Sequence, residues 1–390
     1  MGISDSGKTI SEHQAVQVSP EFIEARFIRR INRFVMELDM NGSTIQAYIP
    51  NTGRMSEFLV ADHPFYLVKS SGGKYSYKVV STIYQGNYVF LDTVKVNDIF
   101  DQLLKNGVLN SLFPHIQSIR REYGILNSRF DFCIEQTNGS CSMVEVKSCT
   151  LVHNQIAMFP DAPTLRGQKH IRGLQTLTEK GYDCHVVFLI MNGSACRFFP
   201  NFQTDYEYGQ EFLLASNVKF HALTLNLPDP VTIDLDNVRE IPIDRDILST
   251  NCINKGNYLL VLENNRNFSR EIGRLGIIDF PKGFYVYVGS AMNSLDSRIK
   301  RHYSGRKKRH WHIDYIIPYR MSINKSFPLR RRKSIESILA KRLASFADSF
   351  IAGFGSSDSS DSSHLFYFRE NPIHNRNFLN ILFDAYTFTI

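Results

Sequence analysis

Arg129-Phe130-Asp131-Phe132-Cys133-Ile134 is followed, past Asn138-Gly139, by Met143-Val144-Glu145-Val146-Lys147. Both runs are short, rich in β-branched and aromatic residues, and joined across an Asn-Gly turn, so they read as one β-hairpin. Side chains alternate faces along a strand. Phe130, Phe132 and Ile134 then share one face and Asp131 takes the other, while Glu145 and Lys147 project together, opposite the flanking valines. A Glu and a Lys two residues apart decorate many solvent-facing strands, and the triplet alone says no more than that. Asp131, 14 residues before Glu145 on an apolar strand, changes its meaning. Two carboxylates and an ammonium at one end of a sheet suit a hard divalent cation, Mg²⁺ or Mn²⁺, that keeps waters for a substrate. In this reading Lys147 holds or deprotonates the attacking water, Asp131 and Glu145 are the metal ligands, and the metal stabilises charge on a phosphate oxygen.

Downstream, Phe159-Pro160-Asp161-Ala162-Pro163-Thr164 is a loop that opens a helix, with Thr164 as N-cap and Arg166, Lys169 and His170 in its first turns. Helix N-termini and such cations favour phosphate. Between Val96 and Asn226 helical stretches alternate with strands, which indicates an α/β domain around a central sheet. Upstream, five runs (Phe34–Leu38, Thr44–Ile49, Phe65–Lys69, Tyr75–Thr82, Tyr88–Leu91) are separated by Gly and Asn turns, as in a small β-barrel of the OB type. The polar residues 1–21 read as a flexible terminus. Leu227 to Leu248 holds three prolines and six acidic against two basic residues, as a linker would. The expected organisation is mixed: OB-like barrel 22–93, α/β core 94–226, linker 227–252 and a separate α/β unit 253–390.

Asn51-Thr52-Gly53-Arg54-Met55, Arg129 with Asp131, Val144 to Ser148, and Phe159-Pro160-Asp161 through Arg166-Gly167 to Lys169-His170 together resemble the sugar fermentation stimulation protein family, SfsA. The resemblance covers about residues 22–225. It implies an OB-like barrel followed by a PD-(D/E)XK nuclease-like core, with DNA binding to which Arg54, Arg166, Lys169 and His170 contribute. Asp131, Glu145 and Lys147 match the nuclease triad position by position, with Glu122 as an accessory carboxylate. The family name describes a phenotype and does not settle the reaction, and no glycine-rich nucleotide loop supports a sugar-metabolic enzyme.

The net charge of +7 is unevenly spread, since residues 251–350 hold 20 Lys or Arg against 7 Asp or Glu. A field that local attracts polyanions, and phosphate backbones are the usual polyanion. Arg306-Lys307-Lys308-Arg309 and Arg330-Arg331-Arg332-Lys333, beside Tyr303, Trp311 and Tyr315, read as a nucleic-acid face rather than as solvated loops. The six cysteines show no CxxC pairing and several fall in apolar runs, so they read as reduced and buried, and no membrane span or signal region is apparent. The expected compartment is the cytoplasm.

Within that basic region, Gly256 to Leu262 and Gly283 to Ser290 are strand-like, with Tyr285 and Tyr287 on one face. Leu295 to Tyr303 reads as a helix that carries Arg298 and His302 four residues apart. A later helix, Ser334 to Phe346, presents Glu336 beside its apolar face. These residues resemble the GIY-YIG nuclease superfamily over about 253–370, particularly a branch with Trp311-His312-Ile313-Asp314-Tyr315 and the tail from Gly353 to Leu365. The resemblance implies a GIY-YIG-like fold, Tyr258, Tyr287 and Arg298 as catalytic residues, and Glu336 as a metal ligand. The first motif here reads Gly-Asn-Tyr, the second Tyr-Val-Gly, and the gap between them, Glu263 to Phe284, is longer than in standard nucleases. Ser337, Ser359 and Asp361 stand where the branch usually has cysteines. Two functions follow as alternatives. One is Mg²⁺-dependent hydrolysis of phosphodiesters at the first site with a C-terminal domain that mainly binds nucleic acid. The other is a non-catalytic DNA-binding regulator that uses nuclease folds as scaffolds.

Overall fold

The computed structural model describes residues 14–70, 72–125, 128–305, 308–356 and 359–390. Strand β1 (Ala15–Gln17) lies within the segment expected to be a flexible terminus, yet it pairs antiparallel with Thr232 to Asp234 as a sheet edge. Backbone hydrogen bonding holds it there, a tie that three residues of local sequence do not announce. Residues 1–13 of that terminus lie outside the described residues.

The barrel comprises β2 (Ile23–Asn32), β3 (Val35–Met40), β4 (Ser43–Tyr48), β5 (Pro64–Lys69), β6 (Tyr77–Tyr84) and β7 (Asn87–Phe90), in the order β4-β3-β2-β5-β6-β7. A pairing of Tyr48 with Lys78 joins β4 to β6 and closes five strands into a barrel. Asn41 and Gly42, at φ 53° and 83°, make the two-residue turn between β3 and β4 that only left-handed conformations allow. Strand β2, absent from the expected five, is the sheet's central member. Its outward Glu24 and Arg26 alternate with inward Ala25 and Phe27, which join Leu38, Phe58, Phe65 and Leu67 in the barrel core.

The central domain contains α1 (Val96–Lys105), β8 (Ile116–Ile125), β9 (Ser128–Gln136), β10 (Cys141–Cys149), β11 (Val152–His153), β12 (Ile156–Phe159), α2 (Leu165–Thr178), β13 (Asp183–Ile190), β14 (Arg197–Pro200), α3 (Tyr206–Leu214), β15 (Lys219–Asp229), β16 (Thr232–Glu240) and α4 (Arg245–Asn251). Its seven-stranded sheet runs β1-β16-β15-β13-β10-β9-β8, with β10, β13 and β15 parallel. Strand β13 is covered on both faces, which is why it reads as an unbroken apolar run. Helix α1 packs on one face through Phe100 and Leu103, and α2 on the other through Ile171 and Leu174.

The expected linker 227–252 is instead the end of β15, all of β16, and α4. Three of its acidic residues, Asp229, Asp234 and Asp244, serve local turns and a helix cap. Asp229 Oδ1 accepts the backbone N–H groups of Val231 and Thr232, each at 2.8 Å, and Asp244 caps α4 by accepting from Ile247 N at 2.9 Å. Carboxylates in these roles give a composition that resembles a linker's.

The C-terminal domain holds β17 (Gly256–Asn264), β18 (Phe268–Glu271), β19 (Ile277–Phe280), β20 (Gly283–Ala291), α5 (Leu295–Tyr303), β21 (Ser322–Arg330), α6 (Glu336–Ala344), β22 (Ser349–Phe350), β23 (Leu365–Phe368) and α7 (Arg376–Tyr386). Five strands form a sheet in the order β21-β17-β20-β23-β22, and β18 pairs with β19 as a separate hairpin. It is not the separate unit that its sequence suggested. Leu259, Val261, Val286, Phe327 and Phe378 belong to one apolar cluster with Phe199, Phe202 and Tyr208 of the central domain. Arg330 and Arg331, expected on a basic face, are buried at this junction. Arg330 bonds Asp296 at 2.6 Å and stacks on Tyr206, while Arg331 stacks on Phe388. Both stacked arginines have aromatic partners far away in sequence, so a run of basic residues gave no sign of their burial.

Candidate active sites

Strands β9 and β10 pair antiparallel with Val144 opposite Phe132, which brings Asp131 beside Glu145 and Val146. Val146 N–H donates to Asp131 Oδ2 at 2.8 Å, and Asn97, at the start of α1, donates to Oδ1 at 2.9 Å. The expected alternation fails at one point. Phe130 packs toward α2, with His170 and Gly173, whereas Phe132 and Ile134 pack toward α1. Asp131 sits where the strand changes sides.

Glu145 is 2% exposed, and its Oε1 accepts from both Lys147 Nζ and His170 Nδ1. Its other oxygen, Oε2, is buried and has no hydrogen-bond partner among the described residues. Burial raises the Glu145 pKa, but Lys147 and His170 outweigh it and leave this carboxyl below its ordinary range. Asp131 moves the other way, raised by burial and by the charge of Glu145. One carboxylate held charged beside a second that resists ionising is what two acids in one cleft produce, and an added cation relieves it. With the unclaimed Glu145 oxygen, this donor set fits a hard divalent ion. Among the described residues no group of three or more His, Cys, Asp or Glu forms a ligand cluster, so such an ion would hold two carboxylates and keep its waters.

His170, expected to face nucleic acid, is buried in this cluster. Arg166 Nε donates to its Nε2 at 3.4 Å, so its Nδ1–H is the hydrogen that Glu145 accepts. It orients the carboxylate. Arg166 and Lys169 are exposed on the first turns of α2, whose N-cap Thr164 accepts from Gly167 N at 3.0 Å. Glu122 does not join the cluster: it is exposed and pairs with Arg129 at 2.9 Å. Arg54 is exposed on a loop clamped from two sides. Arg30 donates to the carbonyls of Asn51, Gly53 and Arg54, and Asp161 Oδ2 accepts from Met55 N at 3.2 Å. A Cβ on Gly53 would lie 2.2 Å from Asp161 Oδ2, so that position needs glycine. Burial pulls Lys325 down to about 8, and the nearby charge of Arg54 adds to the shift, which locates Arg54 against the C-terminal domain.

The second constellation converges on a cavity of about 380 Å³ lined by Tyr258, Tyr287, Arg298, His310, His312 and Glu336. Strands β17 and β20 pair with Tyr258 opposite Gly289 and Leu260 opposite Tyr287. A Cβ on Gly289 would lie 2.4 Å from the Tyr258 hydroxyl, so this glycine makes room for the ring. Tyr258 OH and His302 Nε2 are 2.8 Å apart. Burial pushes both phenols above their ordinary range, with Arg298 opposing the shift. Arg298 donates to Ser290 O at 3.3 Å and lies over the Trp311 ring, which Arg301 also flanks.

Glu336 accepts from Ser290 Oγ at 2.7 Å, with His364 Nδ1 3.6 Å away on its other side. Ser337, Ser359 and Asp361, the positions that depart from cysteine, meet in space. Ser337 Oγ donates to Asp361 Oδ2 at 2.6 Å, Asp361 N donates to Ser359 Oγ at 3.3 Å, and His364 Nε2 is 3.0 Å from Asp361 Oδ2. The asparagine of Gly-Asn-Tyr also has a role. Asn257 is fully buried, accepts from Ile335 N at 2.8 Å and donates to Ser334 Oγ at 3.0 Å, so it fixes the start of α6 and with it Glu336. Asn97 had no motif to announce it, and Asn257, His302 and His364, though they lie within the quoted runs, gave no sign of these roles, because the partners Ile335, Tyr258 and Glu336 are remote in sequence. Lys308 and Arg309 are exposed near this cavity, whereas Arg306 and Lys307 lie outside the described residues.

A family model described as the SfsA N-terminal OB domain matches residues 28–91, and one described as the sugar fermentation stimulation protein RE domain matches 95–229. A sugar fermentation stimulation protein homolog of Aquifex aeolicus is 35% identical over 222 residues, 57% of this chain and 97% of that protein. The chain belongs to the sugar fermentation stimulation protein family. A further family homolog, from Natranaerobius thermophilus, is 35% identical over 197 residues, 50% of this chain and 82% of that protein. The structure of Pyrococcus furiosus SfsA in complex with Ca²⁺ aligns at 29% identity with a TM-score of 0.53, covering 59% of this chain and 99% of that one. The family likeness therefore spans about half of the chain. Residues 257–385 match a different model, a domain of unknown function, DUF123. No helix among the described residues is long and apolar enough to cross a membrane.

Proposed function

We propose that this chain binds DNA and hydrolyses phosphodiester bonds with a divalent metal at Asp131, Glu145 and Lys147, in a PD-(D/E)XK-like core. The observation that carries this reading is the buried, unpartnered Oε2 of Glu145 beside Asp131. Lys147 and His170 crowd the other Glu145 oxygen and keep this carboxylate charged, so the free oxygen is held ready as a ligand. Mg²⁺ or Mn²⁺ bound there supplies charge stabilisation at a phosphate oxygen and a more acidic water. Lys147, on the same strand face, holds the attacking water and takes part in its deprotonation. Arg166 and Lys169, at the N-terminus of α2, bind the flanking phosphates. The Pyrococcus relative was solved in complex with Ca²⁺, another hard oxygen-seeking ion, which supports a divalent metal for this chain.

The C-terminal domain, read as GIY-YIG-like, acts here mainly in binding. Its two phenols, Arg298 and Glu336 share a cavity, but Tyr258 is committed to His302 and Glu336 to Ser290. The commitment of Tyr258 to His302 and of Glu336 to Ser290 favours a second reading, a regulator that binds without cutting. The test is incubation of the full chain with single-stranded, duplex and branched DNA in Mg²⁺ or Mn²⁺. Cleavage abolished by EDTA supports hydrolysis. Tight binding with no cleavage in either metal supports the regulator.

A further inference from the structure

The long gap between the two motif tyrosines, which sets this domain apart from standard GIY-YIG sequences, folds into the β18–β19 hairpin and its 3₁₀ turn, Gly273–Leu275. That insertion forms one wall of a basic trough outside the tyrosine cleft. Two adjoining cavities, of about 600 and 410 Å³, share Arg270 from the hairpin with Arg309 and Tyr315 from the segment after α5. Lys308, Tyr319 and Arg320 extend the larger one. Two carboxylates line the trough: Glu271, exposed beside the smaller cavity, and Asp314, which is already engaged, since it accepts from both terminal nitrogens of Arg301, each at 2.9 Å, and from the backbone of His310 and Trp311.

The four cations are left without such partners. Among the described residues, no carboxylate lies within ion-pair distance of Arg270, Lys308, Arg309 or Arg320, and the buried Nε of Arg270 has no acceptor. Arg309 stacks on Tyr315, with its guanidinium 5.2 Å from the ring centre, and Tyr319 stands 66% exposed at the rim. Unpaired guanidinium groups beside accessible aromatic rings suit an anion that carries a flat base. The trough's position fits the same ligand. The 3₁₀ turn His312–Tyr315 separates it from the tyrosine cleft, with His312 on the cleft side and Asp314 and Tyr315 on the trough side.

We infer that this trough is a phosphate-backbone subsite for a polynucleotide strand leaving the Tyr258–Tyr287 cleft, with Arg270 and Arg320 on its phosphates and Tyr315 and Tyr319 against its bases. The inference rests on the nucleic-acid reading above and assigns the insertion its task. It is tested on the full chain by fluorescence anisotropy with a labelled single-stranded DNA over a series of salt concentrations. Arg270→Ala with Arg320→Ala should weaken binding about tenfold at low salt and flatten the slope of log K against log salt by about 1.4, two contacts' worth on a single strand. Arg320→Ala alone, an exposed change, should give about half of that slope effect and covers the case of a double variant that fails to fold. A wild-type chain with a steep salt slope that both variants keep overturns this inference alone. A wild-type chain that binds no DNA overturns it together with the nucleic-acid reading. A mononucleotide bound tightly and lost in the variants, with the DNA slope unchanged, also overturns it.

Discussion

The two candidate sites handle charge in opposite ways. In the central domain the ions meet inside the protein: Lys147 and His170 both donate to one buried oxygen of Glu145, and Asp131 takes a backbone N–H and an asparagine. In the C-terminal domain Tyr258 pairs with His302, while Arg298 and Arg301 flank Trp311 and Lys308, Arg309 and Arg320 remain at the surface. Interior charge is strong, directional and local, because the low dielectric amplifies it and water does not screen it. Surface charge acts at long range and yields to salt. The first arrangement suits chemistry at one bond and the second suits capture of a long polyanion.

If this division is right, the largest effect comes from Lys147→Ala. It should lower metal-dependent cleavage by about three orders of magnitude, while DNA affinity in an anisotropy titration stays within about twofold, since the exposed cations lie elsewhere. Equal losses in both readouts would show that Lys147 serves binding as much as chemistry. Tyr287→Phe probes the other side. Its hydroxyl lies in the tyrosine cavity, and its removal should leave cleavage by the full chain within about threefold, as expected of a domain used for binding. A collapse of cleavage comparable to that of Lys147→Ala would make the protein a two-headed nuclease.

Asn257→Ala should destabilise the fold by about 1–2 kcal/mol in urea unfolding, because it removes the buried partner of Ile335 N at the start of α6. A neutral result would mean that α6 and Glu336 are positioned by packing alone. The smallest effect concerns pH. A carboxyl whose folded pKa is raised makes the folded chain bind more protons than the unfolded one between the two values, so stability falls as pH rises through that window. Asp131 is raised, so Asp131→Asn should flatten the loss of stability on going from acid to neutral pH and raise the melting temperature at neutral pH by a few degrees, even as cleavage is lost. A lower melting temperature at neutral pH would show that Asp131 is stabilised by its hydrogen bonds more than it is penalised by burial.

Much of the first site was legible because its residues are close in sequence: a hairpin with an Asn-Gly turn fixes which residues of two short strands face each other. The α2 cations were legible as a helix N-terminus. What stayed hidden depended on distant partners. His170 reads as one more cation until Glu145 is placed beside it, and Arg330 and Arg331 read as surface charge until Tyr206 and Phe388 cover them. Strand β16 looked like a linker because Asp229 before it and Asp234 within it serve local turns. The closed barrel and its turns were apparent from Gly and Asn spacing, but β2 was hidden by the charges on its outer face. The cluster that joins the central domain to the C-terminal sheet has no local signature, so the domains appeared separable when they share a core.

The most direct test of the central claim is a Mn²⁺ titration of the full chain, read by electron paramagnetic resonance, for wild type, Glu145→Gln and Glu336→Ala. Each is followed by cleavage of the same DNA. If the unpartnered oxygen of Glu145 is a metal ligand, Glu145→Gln weakens Mn²⁺ binding at least tenfold and removes cleavage, whereas Glu336→Ala leaves both near wild type. Unchanged Mn²⁺ binding and cleavage in Glu145→Gln, with loss of both in Glu336→Ala, would contradict the account and move the chemistry to the C-terminal cleft.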